Sequence, residues 1–170
     1  MNIKVPLSHR SQEPESGVLY IVGTPIGNLN DISLRGLEIL KNVDLIACED
    51  TRQTKKLISK FNLNNNLISF NQHNSLNRIT KLIQYLESGK SIALVSDAGL
   101  PVISDPGEDL VKALRRNGLE VICIPGPSAA LTALVTSGFP SSKFIFEGFL
   151  PKKKIEREKV LSQISQNSKT

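Results

Sequence analysis

Residues 18–27, VLYIVGTPIG, and residues 91–107, SIALVSDAGLPVISDPG, decide the fold class of this chain. Each stretch opens with a short apolar run and continues directly into a loop rich in glycine and proline. An apolar run without alternation indicates a strand that is buried on both faces, as in a parallel sheet covered by helices. Comparable runs predict strands at residues 18–23, 44–48, 67–70, 91–96, 120–124 and 144–147.

Segments with the period of a helix separate these strands. The clearest has one apolar stripe, formed by Leu76, Ile79, Leu82, Ile83 and Leu86. Gly89 follows it, where a glycine is expected to end the helix. Weaker patterns predict helices at residues 33–42, 51–61, 106–117 and 128–137. Alternating strands and helices predict the α/β class, with a Rossmann-like open, mostly parallel sheet and flanking helices.

The composition of the chain excludes several classes of protein. Its 170 residues, 39% of them hydrophobic, suffice for one folded domain without disulfides. No stretch approaches the ~18 apolar residues of a membrane span, and the first residues lack the apolar block of a signal peptide. We therefore expect a cytoplasmic protein with no membrane contact. Cys48 and Cys123 lie in apolar runs without a CxxC pattern, which predicts reduced core residues and no metal site.

The positive charge is concentrated at the carboxyl end of the chain. Six of the 21 basic residues, but only two of the 16 acidic residues, follow Leu150. We expect three segments. Residues 1–16 form a flexible amino-terminal segment, residues 17–150 form the α/β domain, and residues 151–170 form a basic helical tail that leads toward a second domain.

Loops after four of the predicted strands form the candidate ligand site, because ligands bind at the carboxyl ends of strands in open parallel sheets. These loops read GTPIGNLND, EDTRQT, SDAGLPVISDPGED and PGPSAA. The first lacks the GxGxxG spacing of a dinucleotide site. Gln84 stands where a phosphate-binding loop that ends at Lys90 and Ser91 needs a glycine. Nicotinamide, flavin and P-loop chemistry are therefore disfavoured.

Acidic residues cluster at this edge of the predicted sheet, namely Glu49, Asp50, Asp97, Asp105, Glu108 and Asp109. Polar side chains in these loops have competing interpretations. Asp50 and Asp97 lie directly at predicted strand ends and are candidates for ligand contact. Glu108 and Asp109 instead fit the first turn of a helix, where the helix dipole favours carboxylates. Ser128 is either a helix N-cap or a hydrogen-bond donor to a ligand. A serine hydrolase triad is disfavoured, because both histidines precede this serine in the chain.

Five motifs together identify a family resemblance. They are LYIVGTPIGNLNDIS, DLIACEDTR, ALVSDAGLPVISDPG, PGPSAALTAL and FEGFLP. In order and spacing they resemble the ribosomal RNA small subunit methyltransferase I family, a branch of the tetrapyrrole (corrin and porphyrin) methyltransferase fold. The resemblance covers about Val18 to Pro151. It implies transfer of a methyl group from S-adenosyl-L-methionine to the 2′-hydroxyl of a cytidine in the decoding region of 16S ribosomal RNA, within the small ribosomal subunit.

The resemblance also assigns roles to residues of this chain. It makes residues 17–150 the S-adenosylmethionine-binding domain, with no metal. The implied cofactor contacts are Thr24, Pro25, Ile26, Gly27, Asp97, Ala98, Gly99, Pro125, Gly126, Pro127 and Ser128. A ribose hydroxyl is a weak acid, so a base should assist the reaction. Asp50 is the candidate base with Glu49 as substitute, and Arg52 is a candidate phosphate or alkoxide contact. The alternative for all three is an ion pair that caps a helix.

Two departures from the wider fold bear on the substrate. Gly27 is followed by Asn28 where the wider fold usually has aspartate, and Asp97, Ala98 and Gly99 replace a Gly-Asp-Pro triplet. Both departures resemble the ribosomal RNA branch and disfavour a small tetrapyrrole substrate, which stays a less favoured alternative.

RNA binding requires cations near the site. Arg52, Lys55, Lys56 and Lys60 occupy one predicted helix, and Lys152 to Lys154 begin the tail. Either group is an RNA contact or a solvated face. Aromatic residues make up 5% of the chain, so a platform for base stacking is not evident.

Members of the family that this chain resembles have two lobes, with the cofactor held between them. The sequence ends at Thr170, soon after the predicted tail begins. A second hypothesis is therefore a non-catalytic remnant, or a half-enzyme that needs a carboxyl-terminal lobe or a homodimer partner. In either case we expect exposed apolar surface on the face that would meet the partner.

Overall fold

The computed structural model describes residues 14–165 and contains a five-stranded sheet in which every pairing is parallel. Strand order across the sheet is β3-β2-β4-β1-β5. The strands are β1 Val18–Val22, β2 Leu45–Cys48, β3 Leu67–Ser69, β4 Ile92–Val95 and β5 Glu120–Ile124. The predicted α/β class and the first five predicted strands are confirmed.

Six α-helices are found within residues 14–165: α1 Leu34–Asn42, α2 Thr51–Lys60, α3 Ser75–Glu87, α4 Glu108–Arg116, α5 Ala129–Ser137 and α6 Lys154–Ile164. A 3-10 turn at Leu29–Asp31 was not predicted. Gly89 ends α3 as expected, with φ +84° and an N–H that donates to Leu86 O at 2.9 Å. Glycine adopts this left-handed backbone without the steric cost that other residues meet.

The helices cover the two faces of the sheet in pairs. On one face α1 and α2 pack through Ile39, Leu40 and Leu57 against the side chains of β1 and β2. On the other face α3 and α4 pack through side chains that include Leu82 and Leu110. Because both faces are covered, the central strands are buried on both sides, which explains their continuous apolar runs. No helix within residues 14–165 is long and apolar enough to cross a membrane.

Two predictions about buried residues are wrong. Residues 144–147 form no strand and are exposed, and they pair with neither edge strand of the sheet. Cys48 is buried as expected, but Cys123 is exposed on β5, which lies at the edge of the sheet with β1 as its neighbour. Both cysteines are free thiols. The predicted tail contains α6, whereas residues 1–13 and 166–170 lie outside the described residues.

Candidate functional site

Three loops meet at the carboxyl end of the sheet because β4, β1 and β5 are adjacent strands. The loops after β1 and β4 are joined by a short antiparallel bridge. In this bridge Thr24 N–H donates to Gly99 O at 2.8 Å, and Gly99 N–H donates to Thr24 O at 3.0 Å. The buried Thr24 hydroxyl also donates to Ser96 O at 3.1 Å. These bonds hold the two loops as one unit.

Two glycines bring the loops after β1 and β5 into direct backbone contact. A Cβ added to Gly23 would lie 2.8 Å from Gly126 Cα, and one added to Gly126 would lie 2.9 Å from Gly23 Cα. Gly99 has φ +84°, and its added Cβ would lie 3.4 Å from Ile26 Cγ2. The contact between Gly23 and Gly126 requires residues without side chains, so these two glycines determine how closely the loops approach. At Gly99 the left-handed backbone, and not the available space, favours glycine.

The sequence-predicted cofactor residues all lie on these joined loops. Buried members support the loops, namely Thr24, Pro25 and Gly99. The exposed members are Gly27, Asp97, Ala98, Pro125 and Gly126. The exposed side of this edge therefore consists of small residues and backbone, with one carboxylate beside them. Such a surface, with an exposed carboxylate beside backbone polar groups, suits a small ligand that carries polar atoms and a positive charge.

A group of carboxylates lies next to this surface, at the ends of β2 and β4. Asp97 Oδ1 accepts a hydrogen bond from Asp50 N–H at 3.1 Å. Glu49 lies close to Asp97, whose charge and backbone N–H both act on the pKa of the Glu49 carboxyl. Burial raises the pKa of the Glu49 carboxyl, and the like charges of Asp97 and Asp105 raise it further. This carboxyl therefore binds a proton more readily than an ordinary glutamate.

Asp50 and Arg52 form the ion pair that the sequence left open as an alternative. Asp50 is the N-cap of α2, and its Oδ1 accepts from Arg52 N–H at 2.8 Å. The two side chains are also bridged, with Arg52 Nη2 2.6 Å from Asp50 Oδ2. Hydrogen bonds from Arg52 lower the pKa of Asp50 to about 2. The Asp50 carboxylate is therefore a weak proton acceptor, although its assignment as a base stays a prediction.

The turn between β4 and α4 carries Asp105, whose charge acts on Glu49, so this residue joins the acidic cluster expected at this edge of the sheet. Val102 and Ser104 have φ values of +77° and +61°, a strained conformation for residues with a Cβ. The turn places Asp105 near Ser96, where burial raises the pKa of the carboxyl and the neighbouring Ser96 hydroxyl opposes that rise. No sequence signal marks such a turn, because left-handed backbone usually requires glycine.

Ser128 occupies the N-cap position of α5, but its side chain makes no capping hydrogen bond there. The helix is instead begun by the Ser128 carbonyl, which accepts from Thr132 N–H at 2.9 Å. Ser128 therefore occupies the predicted N-cap position, but its hydroxyl makes no capping hydrogen bond. Its role as a hydrogen-bond donor to a ligand stays a prediction.

A cavity of about 280 Å³ opens beside Asp105, and the sequence did not predict it. It lies between the start of α3, represented by Ser75 and Leu76, and the start of α4 at residues 105–110. Within residues 14–165 no group of three or more His, Cys, Asp or Glu residues is arranged to hold a metal ion.

Comparison with known proteins places the chain in a family. A family model for tetrapyrrole (corrin/porphyrin) methylases matches residues 18–170. The ribosomal RNA small subunit methyltransferase I of Thermotoga maritima is 54% identical, with 89% of this chain and 68% of that protein covered. The proteins of the same name from Bacillus subtilis and Escherichia coli O157:H7 are 49% and 48% identical over 92% and 95% of this chain. The chain covers 53% and 57% of those two proteins.

Solved structures share the fold at lower identity. Diphthine synthase aligns with a TM-score of 0.65 and 18% identity, and the alignment covers 86% of this chain and 61% of that one. Uroporphyrin-III-C-methyltransferase from Thermus thermophilus aligns with a TM-score of 0.57 and 23% identity, over 73% of this chain and 54% of that one. These structures support the fold alone, whereas the family model and the sequence relatives identify the branch. The chain belongs to the tetrapyrrole methylase family and, within it, to the ribosomal RNA small subunit methyltransferase I group.

Proposed function

We propose that this chain forms the cofactor-binding lobe of an S-adenosylmethionine-dependent methyltransferase that modifies the 2′-hydroxyl of a cytidine in the decoding region of 16S ribosomal RNA in the cytoplasm. One observation carries the proposal. The backbones of the loops after β1, β4 and β5 are joined at Gly23, Gly99 and Gly126 into one surface beside Asp97. The chain spans between 53% and 68% of the length of the three relatives named above, so the activity that their names describe is a proposal for this chain.

The residues of this surface fit S-adenosylmethionine. A Cβ at Gly27 would meet nothing within 4 Å, so the loop after β1 leaves open space where a ligand can approach the backbone. Asp97 offers an exposed carboxylate for the positive charge or the hydroxyls of the cofactor. Pro127 and Ser128 border the same surface from the loop after β5. When bound, the cofactor supplies the electrophilic methyl group.

The electrostatics of the site favour Glu49 over Asp50 as the proton acceptor. A base assists best when its pKa lies near the working pH. The pKa of Asp50 is about 2, because Arg52 holds its charged form, whereas burial raises the pKa of Glu49. We therefore assign the ribose proton to a Glu49 side-chain oxygen. Asp50 then serves to hold Arg52 at the start of α2, where the guanidinium meets the phosphate of the substrate.

The exposed apolar surface favours a second candidate, a half-enzyme that is inactive without its partner. Within residues 14–165, α5 has no buried residue, and Val135 and Phe139 are 73% and 68% exposed. Apolar surface of this kind usually lies at an interface. The proposed partner is a carboxyl-terminal lobe or a second copy of the chain.

Methyl transfer to small ribosomal subunits tests the function. The chain is incubated with 30S subunits and methyl-labelled S-adenosylmethionine, and ribose methylation is read by resistance of the labelled linkage to alkali. Label at a cytidine ribose supports the proposal, and Glu49→Gln should then lower the rate by about 10²-fold or more. An Asp109→Asn control on α4 should keep the rate.

Label on added uroporphyrinogen but not on RNA would contradict the proposal. Cofactor binding without transfer would support the half-enzyme.

A further inference from the structure

The exposed side of α2 carries positive charge without any acidic residue on the helix. Successive residues of a helix are about 100° apart, so the four basic residues occupy an arc of about 140°. Leu57 and Thr54 lie on the opposite, buried side. We call this arc the basic face of α2, and it consists of Arg52, Lys55, Lys56 and Lys60.

Intramolecular pairing leaves much of this charge available. Arg52 forms a salt bridge with Asp50, and its side chain is 86% exposed. Lys56 Nζ donates to the neutral Gln53 Oε1 at 2.8 Å, so its charge has no counter-ion there. Neither Lys55 nor Lys60 forms a salt bridge with another residue of the described part of the chain. Lys55, Lys56 and Lys60 are therefore free to bind an external anion. Arg52 has Asp50 as a counter-ion, which bonds to its Nε and Nη2, and the other terminal nitrogen, Nη1, is the one that can meet an external anion.

The tail differs from α2 in this respect. In α6, Lys154 lies 3.8 Å from Glu158, and just before that helix Lys153 lies 3.3 Å from Glu156. Their charges are partly compensated within the tail itself. Of the two basic groups that the sequence identified, α2 is therefore the better anion-binding surface.

The basic face also starts at the proposed active site. The N-cap residue Asp50 is hydrogen-bonded to Asp97, so Arg52 in the first turn lies beside the carboxylates. Lys56 and Lys60 follow at intervals of about 6 Å along the axis, which is on the order of the spacing between neighbouring phosphates of an RNA strand. The 10 residues of α2 extend about 15 Å away from the site.

We propose that the basic face of α2 binds the sugar-phosphate backbone of the RNA strand that enters the site, with successive phosphates at Arg52, Lys56 and Lys60. This inference rests on the proposed function, which supplies RNA as the substrate. Contacts of this kind position a strand without reading its sequence. They fix which nucleotide lies beside Glu49 and leave the choice of base to other parts of the site.

The salt dependence of RNA binding tests the inference. The probe is a 16S ribosomal RNA fragment that contains the decoding region, titrated against the full chain between about 50 and 200 mM salt. The Lys56→Gln/Lys60→Gln variant should lower the slope of log affinity against log salt by about 1.4, since each phosphate contact on a single strand contributes about 0.7. Affinity at the lowest salt should fall about tenfold or more, and by a similar factor for an unrelated RNA strand.

The matched control is Lys153→Gln/Lys154→Gln, which removes the same charge from the tail. This control should leave the slope within about 0.3 of the unsubstituted chain. If both variants lower the slope equally, or if the α2 variant leaves it unchanged while the unsubstituted chain binds and methylates RNA, the inference is wrong and the proposed function stands. If the unsubstituted chain shows no salt-dependent binding to RNA, both are overturned. If the chain binds polyglutamate as tightly as it binds the RNA fragment, the basic face of α2 binds acidic proteins and the inference is overturned.

Discussion

The sheet and the segment from α5 to Leu150 contain similar apolar residues in opposite environments. All five residues of β1 are buried, at 9% exposure or less, by helices on both sides. By contrast, α5 is rich in alanine, leucine and valine and has no buried residue, and Phe149 is 87% exposed. A helix that is apolar on all sides is normally covered by other elements. Apolar composition therefore predicts an element, whereas its burial depends on whether a second surface is present.

Exposed apolar surface, which the sequence led us to expect, is thus present, and its position is informative. That a second lobe or a second copy covers this surface stays a prediction. The surface begins directly after Ser128, where the proposed cofactor surface ends. A partner that covered α5 would therefore stand next to the cofactor. This agrees with the prediction that a second lobe or a second copy completes the site.

The largest expected effect compares one leucine from each region. Leu110 in α4 is fully buried, and Leu131 in α5 is 51% exposed. We expect Leu110→Ala to lower the free energy of unfolding by about 2–5 kcal/mol, because it leaves a cavity in the core. Leu131→Ala should cost less than about 1 kcal/mol. Urea unfolding of both variants measures the difference, and equal losses would mean that α5 is as well packed as α4.

A glycine at the junction between the regions should give the next largest effect. Gly126→Ala places a Cβ 2.9 Å from Gly23 Cα, so the loops after β1 and β5 must separate. We expect a loss of about 1–3 kcal/mol in the free energy of unfolding and weaker cofactor binding. The control is Gly138→Ala, where φ is +75° and a Cβ would meet nothing within 4 Å. Its backbone strain should cost about 1 kcal/mol and leave cofactor binding unchanged. Unchanged binding in Gly126→Ala would refute the role of the joined loops.

Local features of this fold could be predicted from the sequence, whereas features that depend on neighbouring elements could not. The strands and the end of α3 at Gly89 were predictable, because continuous apolar runs and left-handed glycines act locally. The cluster of acidic residues at one edge of the sheet was predictable from the strand ends. The contact between Glu49 and Asp97 was not, since it depends on β4 entering the sheet beside β2 rather than beside its sequence neighbour β3. The exposure of Cys123 and of residues 144–147 was missed for the same reason, because burial depends on the neighbouring elements.

A smaller effect is expected from the uncovered surface itself. Phe149→Ser and Val135→Ser remove large apolar side chains that are 87% and 73% exposed. The double variant should keep its free energy of unfolding within about 0.5 kcal/mol, because neither side chain is packed. Sedimentation across a wide range of protein concentration should show weaker self-association than the unsubstituted chain. A strictly monomeric unsubstituted chain would count against self-association through this surface.

The smallest expected effect concerns the ion pair between Asp50 and Arg52 at the start of α2. Arg52 lowers the pKa of Asp50 from its ordinary value of 3.8 to about 2, so the charged carboxylate stabilises the folded chain above pH ~3.8. That contribution is lost as the pH falls through about 2. Asp50→Asn keeps an N-cap but removes the charge. Its Tm should be slightly lower than that of the unsubstituted chain at pH 6, and the gap should shrink in acid. A gap that does not depend on pH would exclude the ion pair as its cause.

The central claim is that the joined loops after β1, β4 and β5 bind S-adenosylmethionine. Calorimetric titration of the chain with the cofactor tests it directly, with Asp97→Ala and the distant Glu87→Ala as a matched pair of carboxylate deletions. We expect saturable binding by the unsubstituted chain and by Glu87→Ala, and at least tenfold weaker binding by Asp97→Ala. Equal binding by all three chains, or no binding by the folded chain at millimolar cofactor, would contradict this claim.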